Sequence, residues 1–406
     1  MFKLILVCVL LSQIEVTNEN NAGEGSFRSA ISQAAGDPFN NEIVFAENIT
    51  KIKLTSRVSY SSALPITITG PIEFDLPDRS QSISFQNCSN VTITDAKFVG
   101  SGISVSKGEH ARLPTVLTLG NVIIRDAKGI GLWVSDDSEE DIDINYKNVS
   151  LVRCSSMGSF LVKNRGDMYG YIRDSVVENN GQISNSDGVQ FCQSGFGNLN
   201  VEVYGSDFFD NNEDGLEIEC TGDGDVDVYI VESNFYDNRE ENLEISEKHG
   251  GDCYVTLEYV DCEGYGPPDR DRNDGIEILE DGPGSLYLNM YECRSSESEF
   301  DGLRILPGGP GHAIINIDQC VFTDNLDEGI EIEPREGQDF EGLVGLFIYN
   351  STIKHNWGNG IKAVAPNGGL LEIYGHEFDY KPNLGGNLDL EDSPWTWLNN
   401  FAQELD

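Results

Sequence analysis

The sequence predicts an all-β solenoid, a parallel β-helix, from the period and the pattern of one short motif. A tetrad of glycine or asparagine, apolar, polar and apolar residues returns at spacings of 27, 27, 33, 27, 27 and 31 residues. Apolar residues alternate within it, which is strand periodicity. A fixed period of about 20 to 50 residues indicates stacked units, none of which buries its apolar face alone. The tetrads begin at Gly188, Gly215, Asn242, Gly275, Gly302, Gly329 and Gly360.

Two further elements recur within each unit. A second alternating run, such as Val226–Ile230, precedes a connector in which phenylalanine and asparagine keep fixed distances from the next tetrad. Stacked units would therefore place Phe208 on Phe235 and Asn211 on Asn238. Several short strands per unit with such corners are typical of a β-helix coil. Leucine-rich repeats share the period but lack this connector.

The repeat units resemble the right-handed parallel β-helix repeats of the pectin-lyase-like superfamily, from about Ser82 to Tyr380. The segment Gly25–Ile31, followed by Glu42–Phe45, resembles the opening of secreted bacterial β-helix proteins, in which a short helix and a first strand cap the open end. The resemblance implies a right-handed coil with caps. It leaves the function open, because this fold hosts lyases, hydrolases, epimerases, adhesins and structural proteins.

Composition divides the chain into four segments. Residues 1–16 carry Lys3 and the apolar run Leu4–Leu11, which is too short to cross a membrane and is typical of a secretory signal. The other segments are the N-terminal cap and first coils (17–80), the β-helix (81–380) and a C-terminal cap or tail (381–406). Since no other segment could span a bilayer, we expect a secreted protein, extracellular or at the cell surface.

The charge of the chain limits its partners. With 26 basic and 69 acidic residues the formal net charge is −43, which excludes nucleic acid and anionic membranes as direct partners. Such a charge indicates divalent cations, or a salty medium that screens the repulsion. It predicts no particular oligomeric state.

Eight cysteines follow Cys8, an even number that favours disulfides in a secreted protein. Cys192 and Cys220 lie at nearly matching positions of adjacent coils, and Cys293 and Cys320 each lie nine residues before a tetrad. These two pairs are the disulfide candidates, and the alternative is a ladder of free buried thiols. Five glycosylation sequons begin at Asn48, Asn87, Asn90, Asn148 and Asn350.

Stacking would turn the polar positions into two columns of charge. The first, which we name the outer ladder, is formed by Gln190, Glu217, Glu244, Glu277, Arg304, Glu331 and Lys362. The second, the turn ladder, is formed by Asp187, Asp214, Glu241, Asp274, Asp301 and Glu328.

Like charges about 5 Å apart repel one another, and calcium is a natural counterion because it accepts six to eight oxygen ligands. We therefore take as candidate calcium ligands Glu244, Glu277, Glu331, Asp274 and Asp301. The alternative, favoured for the turn ladder, is a solvated acidic face whose Asp-Gly steps make tight turns.

Arg304 interrupts the glutamates of the outer ladder. In polysaccharide lyases of the resembled superfamily, carboxylates hold calcium against a uronate while an arginine or lysine removes the C5 proton. By that resemblance Arg304 or Lys362 would be the catalytic base. The alternative, a salt-bridged ladder in which Arg304 offsets its neighbouring glutamates, is favoured.

Four residues are candidates for contact with substrate: Gln190, Glu217, Tyr265 and Trp357. Together with the fold and the charge, they lead to two hypotheses. The first is an acidic β-helix protein that binds extracellular polysaccharide or a cell surface with calcium and without catalysis. The second is a calcium-dependent lyase that cleaves uronate polymers by β-elimination.

Overall fold

In the computed structural model the described residues are 13–184, 186–264, 273–334, 340–364, 370–376, 379–380, 383–391 and 396–399. Over this part of the chain, strands stack into two parallel sheets that enclose one apolar core, which confirms the predicted right-handed parallel β-helix. Helix α1 spans Phe27–Ala34, and a 3₁₀ turn spans Arg79–Gln81.

Each coil contributes to both sheets. Sheet 2 contains the tetrads and has 13 described strands: Val58–Ser61, Ile83–Gln86, Ile103–Lys107, Leu132–Asp136, Ser159–Lys163, Val189–Gln193, Leu216–Cys220, Leu243–Glu247, Ile276–Glu280, Leu303–Pro307, Ile330–Ile332, Asn359–Val364 and Gly386–Glu391.

Sheet 1 forms the rest of the wall and has 24 described strands: Ile14–Val16, Glu42–Phe45, Lys51–Lys53, Ile66–Asp75, Asn90–Val99, Thr115–Arg125, Ile142–Val152, Met168–Arg173, Val176–Glu178, Leu199–Tyr204, Asp207–Phe209, Val226–Val231, Asn234–Tyr236, Cys253–Glu258, Asp261–Glu263, Leu286–Tyr291, Arg294–Ser296, Ala313–Asp318, Val321–Thr323, Leu343–Tyr349, Thr352–Lys354, Leu370–His376, Asp379–Tyr380 and Thr396–Asn399.

The predicted stacking of equivalent residues is confirmed. Phe208 and Phe235 stack with ring centroids 4.8 Å apart and an interplanar angle of 7°. The Nδ2 group of Asn211 donates to Oδ1 of Asn238 at 2.9 Å, and the backbone N–H of Asn211 donates to the same oxygen at 3.1 Å. Each asparagine thus supplies hydrogen bonds to the turn of a neighbouring coil, which explains why the asparagine keeps a fixed distance from the next tetrad.

Two columns of left-handed backbone produce the corners of sheet 1. One bend recurs, for example, at Asp174, Gly205 and Glu232, where the longer strand gives way to the shorter one. A second recurs at Asp210 and Asp237, directly before the asparagine turn. Non-glycine residues carry positive φ at most of these corners, and Asn and Asp tolerate that conformation best.

A short helix lies against the N-terminal end of the β-helix. Ser26 caps helix α1 by accepting a hydrogen bond from the backbone N–H of Ser29, and the apolar side of the helix, including Phe27 and Ile31, is buried. Residues Ile14–Val16, which the sequence places in the signal, pair with Ile43–Phe45 of sheet 1. They therefore belong to the first coil, and residues 1–12 lie outside the described part.

The β-helix continues beyond the predicted boundary at residue 380, because Gly386–Glu391 and Thr396–Asn399 extend both sheets. The remaining residues of the predicted C-terminal cap lie outside the described part. Among the described residues, no helix combines the length and apolar character that crossing a membrane requires.

The predicted disulfides are absent, since all eight cysteines from Cys88 to Cys320 are free. Cys192 pairs in register with Glu219 whereas Cys220 pairs with Gln193, so the two thiols lie on opposite faces of sheet 2. Cys293 and Cys320 do stack, with the backbone N–H of Cys293 3.4 Å from Sγ of Cys320, as free buried thiols. Burial raises the pKa of Cys220 to about 11, which slows its oxidation at neutral pH.

The asparagine column makes a measurable contribution to stability. We expect Asn238→Ala to lower the free energy of unfolding by about 2–4 kcal/mol, because it leaves the backbone N–H of Asn211 and the carbonyl of Phe208 unpaired. Asn234→Ala, at an exposed position of the same coil, is the control and should change it by about 0.5 kcal/mol or less. Equal losses in denaturant unfolding would contradict this role.

Candidate functional site

The outer ladder exists as predicted on the outer face of sheet 2. Its residues pair one above the next from Gln190 to Lys362, through the strands Val189–Gln193 and Asn359–Val364 and those between them. Their apolar neighbours, such as Leu216 and Ile218, face the core and are fully buried. Alternation along each strand therefore sets the polar side chains on one continuous surface.

The turn ladder lies beside it and is buried, which corrects the expectation of a solvated acidic face. Asp274 is 0% exposed and Asp214 is 4% exposed. Their side chains bind the backbone of the next coil: Asp214 Oδ1 accepts from the N–H of Glu241 at 2.8 Å, and Asp274 Oδ1 accepts from the N–H of Asp301 at 2.9 Å. The Asp-Gly steps thus connect successive coils through carboxylate oxygens.

The two ladders converge into clusters of carboxylates. In four groups, one oxygen from each of three residues lies within 4.8 Å of the others: Asp187, Asp214 and Glu217; Asp214, Glu240 and Glu241; Glu241, Asp274 and Glu277; and Asp301, Glu328 and Glu331. The first three groups follow one another along the helix axis, which produces a nearly continuous run of oxygen ligands.

Burial and mutual repulsion raise the pKa values of these carboxyl groups, so that they retain protons. Burial raises the pKa of Glu217 to about 10, with additional repulsion from Asp187 and Glu244. Burial also raises the pKa of Glu244 and of Asp274 to about 7. The pKa of Asp214 rises for the same reasons, burial first and then the charge of Glu241. A charged carboxylate is disfavoured here unless a cation accompanies it.

Among the described residues, the ion pairs of the two ladders lie in their C-terminal part. Arg304 Nη1 lies 2.9 Å from Oε2 of Glu277 and 3.6 Å from Oδ2 of Asp274, and Arg304 Nε lies 3.2 Å from Oε2 of Glu331. Lys362 Nζ lies 2.7 Å from Oε1 of Glu331. The salt-bridged ladder favoured from the sequence is thus the arrangement observed around Arg304.

In the N-terminal part of the ladders, no such ion pair is present among the described residues. Within the described residues, no lysine or arginine lies within 4 Å of the carboxylate oxygens of five residues: Asp187, Asp214, Glu217, Glu241 and Glu244. Lys248 instead pairs with Glu219 at 2.6 Å. Of the five predicted calcium ligands, Asp274, Glu277 and Glu331 are already paired with Arg304. Glu217, which was predicted to contact substrate, belongs to a cluster that no described lysine or arginine contacts.

The geometry argues against Arg304 or Lys362 as a catalytic base. Although burial opposes the charge of Arg304, Asp274, Glu277 and Glu331 raise its pKa. Glu331 and Glu333 likewise raise the pKa of Lys362 against the effect of burial. A general base must be unprotonated near the working pH, and both side chains are instead stabilised in their protonated form.

Two aromatic residues occupy the outer ladder position in earlier coils, which the sequence argument missed. Trp133 pairs with Phe160, and Phe160 pairs with Gln190. The side chain of Trp133 is 42% exposed. The sequence contains the signal, since both residues stand at the third position of weaker copies of the tetrad, Gly131-Leu132-Trp133-Val134 and Gly158-Ser159-Phe160-Leu161. Ile183 and Phe196, 85% and 86% exposed, precede and follow the strand that carries Gln190.

The other predicted contact residues are dispersed. Trp357 is 62% exposed in the turn before Asn359–Val364, six coils from Gln190, or about 29 Å at the usual strand spacing. Tyr265 lies outside the described residues. The structure therefore unites Gln190 and Glu217 with Trp133 and Phe160, and separates them from Trp357.

Comparisons with known proteins concern the fold. No family model matches the chain, and no curated protein matches it. Among solved structures, a mutant of the periplasmic alginate epimerase AlgG is 12% identical, with a TM-score of 0.44 over 84% of this chain and 77% of that one. The pectate lyase Pel9A is 12% identical, with a TM-score of 0.36 over 98% and 83%.

A variant of the catalytic domain of a GH87 alpha-1,3-glucanase, in complex with tetrasaccharides, is also 12% identical, with a TM-score of 0.44 over 92% of this chain and 69% of that one. At these identities the likeness is one of fold, and it gives no residue of this chain a role.

The raised pKa values predict that, without metal, stability falls as the pH rises. A buried carboxyl whose folded pKa lies near 7 keeps its proton where the unfolded chain has lost it, so its contribution is full below about pH 4 and is lost as the pH rises towards 8. One such group corresponds to about 3 kcal/mol. Denaturant unfolding in chelator should show a less stable protein at pH 8 than at pH 5.

The double variant Glu217→Gln with Glu244→Gln should reduce this pH dependence, because the amides cannot ionise, and the remainder comes from groups such as Asp274 that keep a raised pKa. Glu202→Gln with Glu258→Gln, two glutamates on the outer face of sheet 1, is the control and should leave it unchanged. A stability that rises between pH 5 and pH 8 would refute the assignment.

Arg304→Met should destabilise the protein by about 3–5 kcal/mol at pH 8, because it leaves the buried carboxylate of Asp274 and the largely buried carboxylate of Glu277 without their cation, while Glu331 keeps Lys362. Arg294→Met is the control, since the Arg294–Glu263 bridge is largely exposed and should contribute about 1 kcal/mol or less. Chemical denaturation of both variants measures the difference. A loss no larger than that of the control would show that the ladder is not held by Arg304.

Proposed function

We propose that this protein binds polysaccharide outside the cell without cleaving it, on the outer face of sheet 2 and with calcium among its carboxylates. The observation that carries the proposal is the continuity of one surface. Trp133 and Phe160 stand in register with Gln190, and next along the same face come Glu217 and Glu244, which no described lysine or arginine contacts.

Calcium fits the chemistry of the N-terminal cluster. Asp187, Asp214 and Glu217 place three carboxylates within 4.8 Å of one another, and calcium accepts six to eight such oxygens. A divalent ion would replace the protons that the cluster otherwise retains.

Binding of sugar is supported by the composition of the same surface. Aromatic rings contact the apolar faces of pyranose rings, and polar groups beside them orient the hydroxyls. Gln190 and the carboxylates that follow offer acceptors, and bound calcium would also allow contact with an acidic polymer despite the net charge of −43. An extracellular location is supported by the apolar run Leu4–Leu11.

The absence of catalysis is proposed because Arg304 and Lys362, the two candidate bases, are engaged by carboxylates. A calcium-dependent lyase would require one of them to release its proton and to face a bound uronate. That reaction remains the alternative which the experiment distinguishes, because β-elimination yields products that absorb ultraviolet light.

The test combines binding and chemistry. Purified protein is run by affinity electrophoresis in gels containing uronate or neutral polysaccharides, with calcium or with chelator, while the ultraviolet absorbance of the same mixtures is followed. We expect calcium-dependent retardation without new absorbance. Trp133→Ala and the double variant Asp214→Asn with Glu217→Gln should both abolish the retardation, and Tyr349→Ala, which removes a similarly exposed aromatic ring from sheet 1, should not.

Two results would contradict the proposal. Absorbance that rises with calcium and disappears in Arg304→Ala would establish the lyase. Migration that no polysaccharide retards, with or without calcium, would exclude binding. Calcium should also raise the melting temperature of the protein at pH 8, and it should do so less in the double variant, because the ion binds the folded state alone.

A further inference from the structure

A groove on the outer side of sheet 1 lies away from the face of sheet 2 that is proposed to bind polysaccharide. It has a volume of about 510 Å³ and lies along the three-residue strands of sheet 1, such as Asn234–Tyr236 and Asp261–Glu263. Three successive coils contribute to its wall, so the groove extends along the axis of the β-helix. The wall includes Tyr236, Asp237, Asp261, Glu263 and Glu297.

An aromatic stack adjoins the groove. Tyr236 stacks on Phe209 of the preceding coil, with ring centroids 4.7 Å apart and an interplanar angle of 5°. Each ring follows a core residue, Phe208 or Phe235, so the alternation of the strand turns it outward. Both residues are partly exposed. The stack therefore gives the groove an apolar surface that is partly open to solvent.

Carboxylates surround this stack. Burial raises the pKa of the Tyr236 hydroxyl, and the charges of four carboxylates raise it further, those of Asp207, Asp210, Glu178 and Asp237. The pKa of Asp237 is itself raised by burial and by the charges of Asp210 and Glu263. Each of these groups is near enough to repel its neighbours, so the negative potential is concentrated around the two rings.

Little positive charge offsets the carboxylates of the groove. Among the described residues, their single ion pair joins Nη1 of Arg294 to Oε2 of Glu263 at 3.4 Å. The two side chains are 41% and 47% exposed, and pairs of this kind contribute little. No described lysine or arginine lies within 4 Å of the carboxylate oxygens of Asp237, Asp261 or Glu297. The groove thus attracts a cationic ligand.

The arrangement of these carboxylates favours an organic cation over a metal ion. In the two ladders, three carboxylate oxygens converge within 4.8 Å in several clusters, whereas within the described residues no such cluster includes a carboxylate of the groove. Separate negative charges suit a ligand with several ammonium groups. An aromatic ring attracts an ammonium group and also contacts the apolar face of a sugar ring. A chain of amino sugars offers both groups on every unit, which an aliphatic amine does not.

We propose that this groove binds a polymer of amino sugars, such as a chain of glucosamine units. Its ammonium groups pair with the carboxylates of Asp237, Glu263 and Glu297. Its sugar rings contact the stack of Phe209 and Tyr236. Since successive coils lie about 4.8 Å apart, one extended chain engages carboxylates of several coils. The site is separate from the outer face of sheet 2, requires no calcium and does not depend on the function proposed for that face.

Isothermal titration calorimetry at low ionic strength and about pH 6, in the presence of chelator, tests the site with three ligands. The glucosamine tetramer carries both rings and ammonium groups, the N-acetylglucosamine tetramer keeps the rings without the charge, and spermidine keeps the charge without the rings. We expect the glucosamine tetramer to bind at least about tenfold more tightly than either of the others, because each of them lacks one of the two kinds of contact.

Variants assign the binding to the groove. Asp237→Asn with Glu297→Gln removes two charges of the groove and should weaken binding of the glucosamine tetramer about tenfold or more. Asparagine also tolerates the positive φ of position 237. Tyr236→Ala removes one ring of the stack and should weaken binding about threefold to tenfold. Glu202→Gln with Glu258→Gln removes two charges from sheet 1 outside the groove and is the matched control, which should bind like the unaltered protein.

The melting temperature of each variant shows whether it has folded, and Tyr236→Ala decides the question alone if the charge variant does not fold. Asp214→Asn with Glu217→Gln, which removes proposed calcium ligands of sheet 2, should bind the glucosamine tetramer like the unaltered protein, so the two proposals fail independently. The proposal is overturned if this tetramer gives no heat, or if spermidine or the acetylated tetramer binds as tightly. It is equally overturned if neither groove variant binds more weakly than the control.

Discussion

Backbone hydrogen bonds between coils set every side chain about 4.8 Å from its counterpart one coil away. This register decides what each position can hold. Asparagine gains from it, because Asn238 satisfies the turn that contains Asn211. Phenylalanine gains as well, because Phe208 and Phe235 fill the core as a parallel stack. Since each coil contacts only its neighbours, the stability of the molecule is approximately a sum of these contacts.

The same register is unfavourable for charged residues, because it stacks like charges on one another. A glutamate repeated in every coil meets another glutamate above and below, and the structure resolves the conflict in different ways along one surface. Near Arg304 the repulsion is offset by salt bridges to Glu277 and Glu331. Around Glu217 and Asp214 burial raises the pKa of the carboxyls, so that protons are retained. Exchange of those protons for calcium is the physical basis of the proposed function.

Much of the fold could be predicted from the sequence because the register repeats in it. The tetrads gave the outer ladder residue by residue, and the connector gave the stacks of Phe208 and Asn211. Burial of the turn ladder could not be predicted, since Asp followed by Gly is equally typical of an exposed turn. The disulfide of Cys192 with Cys220 failed for a related reason: a difference of one residue between coils moves a side chain to the other face.

The interior charges were not anticipated either. Lys107, Asp136 and Lys163 are buried at the last position of their strands, two residues after the inward-facing Val105, Val134 and Leu161. Alternation alone places them inside the coil, but a charged residue at an inward position was not expected, and Lys163 is accommodated there by donating to the carbonyl of Ser138. Trp133 and Phe160 were not predicted for a different reason. Their tetrads match the repeated motif only weakly, and the third position of the tetrad was expected to hold a polar residue.

From Met168 to Thr323 the paired strands of sheet 1 keep six and three residues, as in Leu199–Tyr204 with Asp207–Phe209 and Leu286–Tyr291 with Arg294–Ser296. In this part of the chain, differences in coil length therefore lie in the connections to sheet 2, of which the one from Glu263 to Ile276 is longer than the one from Tyr236 to Leu243. The molecule therefore grows only by whole turns. Duplicating the 27 residues 215–241 would lengthen it by about 4.8 Å and add one residue to each ladder. The length of the binding surface can therefore change in evolution by one coil at a time, without a change in the packing of the core within each coil.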